Sequence, residues 1–98
     1  MFIGEVVGNA WGVRRHPSLQ GQRLLLVRPI DPMNEKPLGE AVLALDGGVD
    51  SGPGSVVLVM DEGGSGRQML KDDKAPVRTV ICGIVDQVFC LGRVKRYA

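Results

Sequence analysis

Two apolar segments near the ends of the chain restrict its possible folds more than any other feature. The first runs from Phe2 to Ile30; the second, VRTVICGIVDQVF, runs from Val77 to Phe89. Side chains on a β-strand alternate between the two faces of its sheet. In the first segment Ile3, Val7, Trp11 and Val13 fall on one face, while Phe2, Val6 and Ala10 fall on the other. In the second, Val77, Ile81, Val85 and Phe89 share one face, and Val80, Ile84 and Val88 the other. A strand with one solvated face is apolar on the opposite face alone. These segments require cover on both faces, and the sequence has no clear helix to supply it. Another copy of the same chain is the simplest source.

The 98 residues fit one domain with a single small core. An apolar fraction of 44% argues against disorder. Twelve basic against eleven acidic residues leave a net charge of +1, which argues against a dedicated nucleic-acid binder. No basic leader with a long apolar run opens the sequence, and no apolar run reaches the ~20 residues of a membrane helix. The expectation is a soluble, cytoplasmic protein. Cys82 and Cys90 lie eight positions apart in one apolar run, on one face of a continuous strand and too far apart to bridge. They read as small buried hydrophobes in a reducing compartment.

Glycine and proline divide the chain into short strands. Strands are predicted at 2–13, 22–30, 40–46, 56–60 and 77–90. Polar RRHPSLQG, the prolines Pro29, Pro32 and Pro37, and the loop GGVDSGPGS separate the first four. EGGSGRQMLKDD leaves room for one helical turn around Gln68 to Lys71. The basic tail GRVKRYA either adds a short strand or frays. The predicted fold is all-β: a small five-stranded OB-like barrel with at most one short helical segment, an SH3-like barrel being the alternative.

Reactive chemistry is sparse. The single histidine, His16, sits in a polar loop beside Pro17 and reads as a surface residue. No metal-ligand spacing appears, and Asp46, Asp50 and Asp61 beside glycine-rich loops read as turn-capping groups. EGGSGRQ could present backbone N–H groups to an anion, but lacks the P-loop Lys and the dinucleotide glycine spacing, so it reads as a tight bend. The basic clusters Arg14–Arg15–His16 and Arg93, Lys95, Arg96 are not interleaved with aromatics, as a single-strand binding groove would require. No catalytic residue, cofactor or metal is expected. Single-stranded nucleic-acid binding is the alternative function.

The ordered motifs VGNAWGVRRHPSLQGQRLLLVRPID (Val7 to Asp31), ALD (Ala44 to Asp46), GGSGRQ, Pro76 and GIVD (Gly83 to Asp86) resemble bacterial microcompartment vertex proteins of the EutN/CcmL type. The resemblance spans nearly the whole chain. It implies a single vertex domain over 1–98, an OB-like barrel, and a structural role without catalysis. It also implies homopentamers that cap the vertices of a cytoplasmic microcompartment shell. The implied partners are hexameric and pseudohexameric shell proteins, with no nucleic acid and no membrane. Carried over residue by residue, it places Gly63, Gly64, Ser65 and Gly66 near the five-fold axis. Arg14, Arg15, Arg67, Arg78 and Asp86 become candidates for subunit or shell interfaces. The chain departs from the family pattern at Gly12-Val13, in the loop 47–55, in GGSGR, and at Arg78, where the pattern has Asp.

Overall fold

The computed structural model describes residues 1–10, 23–61 and 79–97. Five strands close into a barrel in the order β1-β2-β3-β5-β4: β1 (Phe2–Ala10), β2 (Leu24–Pro29), β3 (Val42–Asp46), β4 (Val56–Asp61) and β5 (Thr79–Ile84). β6 (Gln87–Cys90) and β7 (Arg93–Arg96) form a separate two-stranded sheet. Pairing in the barrel is antiparallel except between β3 and β5, which run parallel at Leu45–Val80 and Asp46–Ile81. Closure leaves the barrel without the open sheet edges that invite aggregation. This is the five-stranded OB-like architecture predicted from the strand spacing. The described residues contain no helix; the turn expected at Gln68 to Lys71 lies outside them.

Strand alternation decides which side chains fill the barrel. Val6, Leu25, Val27, Ala44, Val57, Val59 and Ile81 form the buried cluster, and Phe2 and Val49 pack against it. Gly4 points inward between them. A Cβ there would lie 2.5 Å from Val27 Cγ1 and 2.9 Å from the Arg28 carbonyl oxygen, so only glycine lets β1 and β2 approach this closely. Two bulges interrupt the alternation. Val7 is the extra residue where β1 pairs with β2, and Cys82 is the extra residue where β5 pairs with β4.

Three expectations are corrected. The predicted strand 77–90 is two strands, because β5 runs out of partner. Ile84 pairs with Val57, the Val85 N–H donates to the Val56 carbonyl at 2.8 Å, and β4 begins at Val56. The chain then leaves the barrel and enters β6. Cys82 and Cys90 therefore do not share a strand. Cys82 is half-buried, its thiol donating to the Leu58 carbonyl at 3.5 Å, and Cys90 is exposed. Finally, consecutive Val80 and Ile81 are both fully buried, so this part of β5 finds cover on both faces within one chain. Further along this segment, Ile84, Phe89, Leu91 and Val94 are left exposed.

Candidate assembly surface

The β6–β7 hairpin has two unlike faces. Its register pairs Val88 with Lys95 and Phe89 with Val94. Alternation puts Val88 and Lys95 on one face and Phe89 and Val94 on the other. The Lys95 face is docked. Lys95 Nζ lies 2.9 Å from Glu35 Oε2, in the loop between β2 and β3. The Tyr97 hydroxyl donates to the Pro32 carbonyl of the same loop, and Lys95 Nζ sits 5.7 Å from the Tyr97 ring centroid. The Tyr97 N–H donates to the Asp86 carbonyl at 2.8 Å and closes the base of the hairpin. The opposite face is bare: Phe89 is 70% exposed and Val94 49%.

These contacts shift two titrations. The hydrogen bond and charge of Glu35 raise the Lys95 pKa above its ordinary 10.5. Burial, followed by the Glu35 charge, raises the Tyr97 phenol above its ordinary 10.0.

The turn is Leu91-Gly92. Both residues have positive φ, 51° and 78°, the signature of a two-residue type I′ turn. Glycine suits its position. Leucine does not: the left-handed region favours Gly, Asn or Asp. Leu91 is nevertheless 90% exposed.

A second cluster organises the loop after β3. Asp46 is buried and its Oδ1 accepts the N–H groups of Gly48 and Val49 at 2.9 and 3.0 Å. Its Oδ2 accepts the Ser51 N–H at 3.0 Å, the Ser51 hydroxyl at 3.4 Å and Arg23 Nη1 at 3.2 Å. Arg23 also reaches Asp50 at 3.0 Å. Asp46 therefore caps a turn, as its place before Gly-Gly suggested, and its oxygens are committed to chain donors. Asp61 accepts the Thr79 hydroxyl at 3.0 Å. Among the described residues, no group of His, Cys, Asp or Glu could hold a metal ion.

Of the predicted site residues, Asp86 lies in the short link between β5 and β6, with its side chain exposed. Gly63, Gly64, Ser65, Gly66, Arg14, Arg15, Arg67 and Arg78 lie outside the described residues, as do His16 and Trp11. Of the two readings of the tail GRVKRYA, the short strand holds as β7, but sequence reasoning missed its pairing with β6 in a hairpin and the roles of Glu35, Lys95 and Tyr97. The available signal was a Gly at 92 between two short apolar-containing runs, obscured by the unfavourable Leu91.

The family model described as "Ethanolamine utilisation protein EutN/carboxysome" matches residues 1–86, the whole barrel up to the base of the hairpin. The chain belongs to the EutN/CcmL family. Within that family it is 34% identical over 94 residues to the shell vertex protein EutN of Salmonella typhimurium, covering 96% of this chain and 92% of that one. The structure of Gloeobacter violaceus CcmL superposes with a TM-score of 0.84 at 34% identity, covering 96% of this chain and 94% of the other. The GrpN pentameric microcompartment shell protein of Rhodospirillum rubrum superposes with a TM-score of 0.80 at 30% identity, covering 93% of this chain and 100% of that one. These EutN/CcmL relatives favour the shell reading over the nucleic-acid alternative.

Proposed function

We propose that this chain is a structural shell protein that assembles into homopentamers and caps the vertices of a bacterial microcompartment in the cytoplasm. The observation that carries this reading is the similarity to the pentameric shell protein GrpN over the full length of that chain. The closed barrel suits the role. A layer of hexamers can lie flat, and five-fold units inserted into it force curvature and closure. Such a unit needs a rigid body with two different, mutually complementary sides, and no reactive site. The whole of 1–98 acts as one vertex domain. Its outer rim meets hexameric and pseudohexameric shell proteins through shape and modest polar contacts. The segment Gly63–Gly66 lies near the five-fold axis in this proposal. Arg14, Arg15, Arg67, Arg78 and Asp86 serve subunit or shell contacts. Neither catalysis nor binding of nucleic acid, membrane or cofactor belongs to the role.

Light scattering of the purified protein should give about five chain masses, as a closed head-to-tail ring requires. A monomer at all concentrations would reject the proposal. Co-expression with cognate hexameric shell proteins should yield closed particles, and omission of this chain should leave open or elongated ones.

A further inference from the structure

We propose that the bare face of the β6–β7 hairpin is the arm of the ring contact, seated on the 38–43 segment of a neighbouring copy. This inference rests on the homopentamer reading above. Three observations point to it. The first is chemical asymmetry: one hairpin face is pinned to its own barrel through Lys95, Glu35 and Tyr97, while Phe89 and Val94 point away from that contact.

The second is the turn. Leu91 combines an unfavourable left-handed backbone with 90% exposure of an apolar side chain. Both the backbone preference and exposure to water disfavour leucine there, and an outlier of this kind points to a role outside the isolated chain.

The third is complementarity. A cyclic contact joins two different patches of one chain, each facing the other on the neighbour. The hairpin exposes Phe89, Leu91 and Val94, and the cation Arg96, paired with Gln87, shares the face of Phe89 and Val94. In the exposed run from Leu38 to Leu43, Leu38 and Leu43 flank the acid Glu40, while Val42 shares the parity of core residue Ala44 on β3. Each patch combines large exposed apolar side chains with a charge, Arg96 on the hairpin and Glu40 on the other, and the charges are opposite. In water either patch would be a liability; together they form an apolar contact with a charged rim.

Leu91→Asn separates the assembly role from folding, because Asn relieves the turn and removes the apolar side chain. We expect the barrel's thermal transition to be unchanged or raised at dilutions where the protein is monomeric. The concentration at which the pentamer dissociates should rise at least tenfold, read by native mass spectrometry. Phe89→Ser and Leu43→Ser should each do the same. In a Cys90→Ser background, Val94→Cys combined with Leu43→Cys should give a covalent ladder between chains on oxidation. A wild-type protein that is not pentameric would overturn the ring reading itself. A pentameric wild type whose Leu91→Asn and Phe89→Ser variants dissociate no more readily would overturn the hairpin contact alone. Weakening by the hairpin variants with no effect of Leu43→Ser, and no ladder, would overturn the 38–43 partner.

Discussion

The barrel and the hairpin are built from similar strand sequence, yet they stand on different footings. In the barrel every strand has two neighbours, and its cluster of buried Val, Leu, Ile and Ala is enclosed by the chain itself. The hairpin has two strands, one docked face and an apolar face in water. Two-stranded sheets are marginal on their own. The main polar ties of the hairpin to the loop after β2 are the Lys95–Glu35 pair and the Tyr97–Pro32 hydrogen bond. Burial within one chain therefore accounts for the barrel's interior, and for the hairpin only in part. The parts of an assembling protein left least satisfied by its own fold are where a partner has most to gain.

The sharpest way to break this contrast is to attack the barrel through Asp46. Asp46→Ala removes the acceptor of three backbone N–H groups, the Ser51 hydroxyl and Arg23. Unsatisfied donors of this kind should cost about 3 kcal/mol in total, read as a lower denaturant midpoint of the whole chain. If the barrel sets global stability, hairpin signals will be lost in the same transition. A transition confined to loop 47–55 would refute the single cooperative barrel.

A smaller loss is expected from Gly4→Ala. The added Cβ meets a backbone oxygen as well as Val27, so β1 and β2 must separate. Overpacking of this kind costs about 1–3 kcal/mol. Equilibrium unfolding should show it, while hydrogen exchange in residues 87–96 keeps its wild-type pattern once scaled to the new stability.

The smallest effect belongs to the hairpin's docked face. Glu35→Gln removes the charge that holds Lys95, and an exposed pair of this type adds little to global stability. Exchange should quicken in residues 87–96 and stay unchanged in the barrel. The pH dependence runs in the same direction. Lys95 is raised from 10.5, so its contribution is complete below that value and is lost as the pH climbs through the higher folded-state value. Tyr97 is raised from 10.0 because burial favours the neutral phenol, so its contribution likewise fades on the alkaline side. Tyr97 is the sole tyrosine, and tyrosinate absorbance should report a titration above 10.0 that falls back towards it in Glu35→Gln. An identical titration in both proteins would show that Glu35 does not hold this face.

Much of the barrel is legible in the residues alone. Gly and Pro punctuation locates the first four strands to within a few residues, and Asp46 before Gly-Gly announces a capped turn. The ordered motifs point to the family. Alternation does not reveal where β5 ends. Apolar residues keep their parity from Val77 to Phe89 straight through the break, because a period of two is blind to which partner a strand has. β4 begins at Val56, and that end of the partner strand sends the chain out of the barrel at Val85. The same limit explains the cover expected from a second copy. Side-chain chemistry is local, so the residue order is enough to demand that both faces of these strands leave water. Cover is non-local, because it depends on which strands meet. Within one chain Ile81 enters the barrel core and Val80 is buried too, while Phe89, Leu91 and Val94 stay exposed on a hairpin that pairs only its own two strands among the described residues, and which strands meet in three dimensions is what separates the two outcomes.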